Sequence, residues 1–274
     1  MKKTISLLIA AVLLSACDQS PTDAAATSDT AVASIASSSN TPKLAEANAK
    51  KSPTSIHLLY NVEEPNVDPY ESRIIITDKY IRLDDNNDGN EFVLVDRAEK
   101  IVYSVSDEND AILVVKHQAV SIAPPLELKT DTKRTPDKNS PKIDGHDIAH
   151  YIFNVNGEAC QDALIAEGLL MNATAAIAEY RRILAGQHAK TFNSTPADLH
   201  NTCDMALHIF QSDRYLKFGL PIHERDHTGY QRSLIDFDDA YEPKPSLFIL
   251  PENFEQFSID EMQAPTEEPL LKSS

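Results

Sequence analysis

The chain has 274 residues, with 25 Lys plus Arg against 42 Asp plus Glu and a formal charge of −17. A surface this acidic repels a phosphodiester backbone, which excludes a nucleic acid held by phosphate neutralisation. Seven Gly and no Trp argue against a glycine-looped nucleotide binder, no apolar run reaches the ~18 residues a membrane-spanning helix needs, and an apolar share of 42% suits a domain with a real core.

The chain opens with Lys2 and Lys3, then a short apolar stretch from Ile5 to Leu14 that ends in Leu14-Ser15-Ala16-Cys17. A charged start, a short apolar core and that box together resemble a bacterial lipoprotein signal. The resemblance implies that residues 1–16 are removed and that Cys17 becomes the acylated N-terminus, each buried methylene of its acyl chains contributing about 0.8 kcal/mol. Asp18 resembles the signal that keeps such proteins in the inner membrane of enteric bacteria. The expected location is therefore membrane-anchored and periplasm-facing, with the inner membrane favoured over the outer. Residues 17–53 hold Ala, Ser and Thr with scattered charge and no aromatic, which reads as a flexible tether spanning roughly 30–36 Å.

The folded part, residues 54–262, begins as a run of strands. Ile56–Val62, Arg73–Ile76, Tyr80–Leu83, Phe92–Val95, Ile101–Val105 and Ala111–Val115 are short apolar segments separated by polar turns, the pattern of an antiparallel meander. Unbroken apolar runs such as Ile74–Ile76 and Ile112–Val115 predict cover on parts of both faces. Pro124–Lys142 reads as an exposed loop or irregular edge strand. Ile148–Val155 resumes the sheet and turns at Asn156-Gly157.

A change of period follows. From Asp162 to about Ala185, Leu169, Ala173, Ile177, Tyr180 and Leu184 recur at helical spacing, opposed by Glu179, Arg181 and Arg182. A second helix is expected with Thr195 as cap, Pro196 in its first turn and Asp198 behind it, its stripe being Leu199, Cys203, Ala206, Leu207 and Phe210. Strands return at Gly219–Ile222, Tyr230–Phe237 and Leu247–Leu250. Ser258-Ile259-Asp260-Glu261 forms a capping box for a last short helix, and residues 263–274 read as a frayed tail.

With Cys17 committed to lipid, Cys160 and Cys203 remain in a compartment that oxidises thiols, so they are expected to pair. A loop of about 40 residues closed in this way predicts roughly 4 kcal/mol of stabilisation. The turn Asp96-Arg97-x-x-Lys100, Asn156-Gly157 near a Cys, the Gly219-Leu-Pro-Ile segment and the closing Leu250-Pro-x-x-Phe-x-x-Phe-Ser-x-x-x-Met262 resemble periplasmic proteins related to the LolA/LolB half-barrels. That resemblance implies an α+β fold, an antiparallel curved sheet. It departs from the family by an inserted helical pair at about 160–215, which would fill the concavity where the family holds acyl chains.

Two metal motifs are weak. His223-Glu224-Arg225-Asp226-His227 matches the zincin pattern, which needs a helix to bring both His to one metal; Pro221 and Gly229 argue for an exposed hairpin turn instead. Asp84-x-Asn86-x-Asp88-Gly89 fits the start of a calcium loop, but Val95 stands where a bidentate Glu belongs. No Gly-x-Ser-x-Gly, no free Cys nucleophile and no phosphate-cradling loop occurs. His208, beside the apolar stripe, reads as a packing residue. The expectation is a non-enzymatic lipoprotein with no cofactor. Its partners are the membrane through the lipid and an apolar ligand or envelope component. The alternatives are an adaptor that docks a partner complex without a cavity, and a zinc hydrolase using His223, Glu224 and His227.

Overall fold

The computed structural model describes residues 55–196 and 200–263. The signal, Cys17, Asp18, the tether, Asp198, Leu199 and residues 264–274 of the tail lie outside them. The described strands are β1 (Ser55–Glu63), β2 (Tyr70–Ile76), β3 (Tyr80–Asp84), β4 (Phe92–Asp96), β5 (Ile101–Ser106), β6 (Ala111–Lys116), β7 (Thr130–Pro136), β8 (Ile148–Val155), β9 (Glu158–Glu167), β10 (Gly219–Asp226), β11 (Gln231–Tyr241) and β12 (Glu255–Ser258). They form one curved, unclosed sheet in the order β12-β6-β5-β4-β3-β2-β1-β11-β10-β9-β8-β7. All neighbours are antiparallel except β12, which runs parallel to β6. The fold is thus α+β.

Local chemistry accounts for the turns. Asn156 and Gly157 take φ of 53° and 87° between β8 and β9, the two positive values that a tight hairpin matching the twist of its strands requires. On β1, Ile56, Leu58, Tyr60 and Val62 are buried and alternate with less buried residues. Helix α1 (Met171–Ser194) lies across this face and touches β5, β6 and β10, so its Ala173, Ala176, Ile177 and Ile183 close the core. On the opposite face, Phe92, Leu94, Val105 and Ile112 are covered by Phe248, Leu250 and Phe254. Parts of both faces are covered, as the unbroken apolar runs predict.

Four expectations change. Residues 162–167 are strand, because β9 is paired on both sides, with β8 and β10; satisfying backbone groups on two flanks outweighs a helix-compatible composition. Positive φ at Gly168 (75°) and Leu170 (46°) then breaks the chain before α1. Thr195 caps the end of α1, its N–H donating to Phe192 O. Asn201 starts α2 (Thr202–Asp204), its Oδ1 accepting from Cys203 N at 2.7 Å and Asp204 N at 3.2 Å, and the segment continues as a π-helix over Met205–Phe210 and a 3-10 turn over Arg214–Lys217. Helical structure between β9 and β10 therefore begins at Met171, not near Cys160. Leu247–Leu250 is no strand: Pro245 opens a 3-10 turn over Pro245–Phe248, where its missing donor and fixed φ are favourable. His223–Asp226 belongs to β10 and is no exposed turn.

The remaining pieces match more closely. Pro124–Lys142 contains the exposed edge strand β7. The capping box starts α3 (Ile259–Gln263), with Ser258 N–H donating to Glu261 Oε2 at 2.6 Å and Glu261 N–H to Ser258 Oγ at 3.3 Å. Cys160 on β9 and Cys203 in α2 form a disulfide, packed with Val155 and Ala206. Among the described residues, no helix is long and apolar enough to cross a membrane.

Candidate functional site

A group of buried polar side chains lies between α1 and the sheet. Register pairs Glu224 of β10 with Arg232 of β11, which sends both side chains inward. Arg232 Nε stands 2.8 Å from Glu224 Oε1, the two side chains being 8% and 3% exposed. The guanidinium lies 4.5 Å over the ring of Tyr60, a contact that offsets part of its desolvation. Tyr60 Oη donates to Pro221 O at 3.2 Å, beside an irregularity in the register of β10 between Pro221 and His223. From α1, Arg181 sits 5.2 Å over the ring of Tyr215. Burial raises the tyrosine hydroxyls, Tyr215 up to about 12 and Tyr60 further, so both stay neutral donors. Glu224 Oε2, Arg232 Nη2 and Tyr215 Oη are buried without a protein partner.

The seam continues into a histidine group. His188 of α1 and His208 of the π-helix stand with ring centroids 5.4 Å apart. His227, in the turn after β10, places Nε2 at 3.2 Å from Asp204 Oδ1, and its N–H donates to Cys160 O at 3.1 Å. His208 Nε2 lies 3.9 Å from the same carboxylate oxygen. Burial first, and the Arg181 charge second, push His188 down to about 4. Burial, His188, Arg181 and His227 push His208 down to about 3. Burial raises Asp204, against the pull of His227. Both imidazoles are therefore neutral at pH 7.

The zincin reading fails on strand geometry. Adjacent strand residues face opposite sides, so Glu224 points inward to Arg232 while His223, on the outer side, has Nδ1 2.9 Å from Ser233 Oγ. Three residues of extended strand already separate His223 from Asp226 by about 10 Å along the chain, before the turn that carries His227. The calcium reading fails because cations already hold the carboxylates. Arg73 Nε meets Asp84 Oδ1 at 2.7 Å and Arg82 Nε meets Asp84 Oδ2 at 2.5 Å. Asp88 takes Arg73 at 3.0 Å and Lys244 at 2.8 Å, and Asn86 Nδ2 donates to Glu71 Oε2 at 2.7 Å. Among the described residues, no three His, Cys, Asp or Glu side chains are placed to hold a metal ion together.

Sequence reading missed Arg232, Tyr215 and His188, and set Arg181 on the polar side of its helix. The one available signal was Arg232, at the same parity as Tyr230 and Leu234 in an otherwise apolar alternation. A surface cleft of about 600 Å3 lies at the β7 edge, lined by Leu126, Lys129, Thr130, Asp131 and the Asn156-Gly157 turn.

No protein-family model and no curated protein matches the chain. Among solved structures it is similar to an uncharacterised conserved protein from Thermus thermophilus, with a TM-score of 0.38 and 10% identity over 75% of this chain and 91% of that one. Two crystal forms of PNGF-II match with TM-scores of 0.37 and 0.36 at 12% identity. They cover 76% of this chain but only 32% of theirs, so this chain spans about a third of that protein. Likeness at this level says nothing about activity.

Proposed function

We propose that the protein is a lipid-anchored, periplasm-facing binding module without a catalytic step, and that it docks an envelope component on its surface instead of enclosing an apolar ligand. The observation that carries the docking half is the filling of the helix-covered face: side chains of α1 and the Arg232–Glu224 seam occupy the ground where a half-barrel carrier would hold acyl chains. The anchoring half rests on the Leu14-Ser15-Ala16-Cys17 box, Asp18 bearing only on which membrane holds it, with the Cys160–Cys203 bond in keeping with an oxidising compartment.

Native mass spectrometry of the domain from Thr54 onward, purified from envelope extracts, tests the docking half. A bare apo mass is the expected result, and a stoichiometric co-purifying lipid would overturn it in favour of a carrier. Anchoring is tested separately by Cys17→Ser, which should move the protein from the membrane pellet to the soluble envelope fraction.

A further inference from the structure

We infer that the segment Thr202–Phe210 is an acid-released flap, hinged at the Cys160–Cys203 bond and latched onto α1 through the contact of His188 with His208. Three attachments hold this segment. The disulfide ties its first turn to β9. His227, itself tied to Cys160 O, holds Asp204 at 3.2 Å. The third is the ring contact between His208 and His188 at 5.4 Å. The segment's own buried side is formed by Met205, Ala206 and Ile209. The disulfide pins one end, and at the other the chain runs on through buried Ser212 into the 3-10 turn that buries Tyr215 and Leu216, so release bows the segment out between two held ends, with the histidine contact as its latch on α1.

The latch works only while both rings are uncharged. The groups around it are Arg181 and His188 from α1, Asp204 and His208 from the segment itself, Asp226 at the end of β10 and His227 in the turn after it. Arg181 is a permanent cation. Asp204 is the nearest carboxylate, but it is already engaged by His227 and lies 3.9 Å from His208. Protonating both rings sets them against each other and against Arg181, with desolvation opposing the charge only in part, since the His208 side chain is 31% exposed. Release returns the imidazoles to water, where they titrate near 6.5, and bares the apolar side of the segment while the disulfide keeps it attached.

By linkage, each histidine kept neutral only in the latched form favours release by up to about tenfold per unit of pH below 6.5, and two do so by about a hundredfold. Hydrogen exchange of the oxidised domain from pH 7 to 4.5, corrected for intrinsic rates, should show opening of amides 203–210 rising steeply while β1 and β2 stay protected. An apolar fluorescent dye should bind over the same interval. In the His188→Gln/His208→Gln variant the rise should vanish. Equal pH dependence in the variant, or flap amides in the wild type that open only when the whole sheet does, would overturn the proposal. Should the variant not fold, the wild type decides alone through its His188 and His208 ring protons: resonances that titrate near 6.5 while the flap amides stay protected would also overturn it.

Discussion

Glu224 and Arg232 show how little a residue's type says without its neighbours. In the sequence Glu224 stands between two histidines in a weak zincin match that reads better as an exposed turn, but strand alternation makes it the buried counter-ion of Arg232. Removing one partner strands the other charge, which costs about 3–5 kcal/mol, whereas replacing both by apolar groups of similar volume is close to neutral. Glu224→Gln should therefore lower the urea midpoint sharply, and Glu224→Leu/Arg232→Met should restore most of it. For His188 and His208 the folded values are depressed below the ordinary 6.5. Their contribution is thus complete above that pH and is lost as pH falls toward about 4 and 3. Urea midpoints should be flat from pH 8 to about 6.5 and decline below, with a shallower decline in His208→Gln. His188 carried no legible signal, since its partner lies on a separate element.

At the scale of elements, β1–β6 were legible because alternation and Asp/Asn/Gly turns agree with one another. β9 was not, because Ala163, Leu164, Ile165 and Ala166 suit a helix as well as a strand, and only pairing on both flanks decides. The disulfide was legible from cysteine arithmetic, although its anchor is a strand and not the approach to a helix. It closes 43 positions, so reduction or Cys160→Ala/Cys203→Ala should cost about 4 kcal/mol in denaturant melts. Gly186 offers a test of close approach on α1. Alanine favours a helix by about 1 kcal/mol over glycine, but a Cβ at this position would meet Gln118 O at 2.1 Å. Backbone must move, and overpacking costs about 1–3 kcal/mol, so Gly186→Ala should destabilise despite its better propensity.

Across the whole molecule, one sheet serves two cores, and the second is closed by the strap after β11. Leu247 is buried in that strap, and its carbonyl accepts from Arg82 Nη1 at 2.7 Å. Leu247→Ala should cost about 2–5 kcal/mol, and exchange measurements should show Phe92–Asp96 and Ile101–Ser106 loosening before β8 and β9. The sequence predicted cover on both faces but could not name it, because the strap reads as a strand and packs only through long-range contacts.

The strand order has a further consequence for how the chain is assembled. Within β1–β6 and within β7–β11, consecutive strands are neighbours, but β1 joins β11 and β6 joins β12. The earlier meander is therefore gripped on both flanks by strands made later. A chain emerging N-terminus first exposes two ragged, sticky margins until residues 231–258 arrive, an interval in which a holding chaperone would matter. Severing the connection between Lys116 and Thr130 would leave two fragments with matching margins, poised to recombine like the halves of a split reporter.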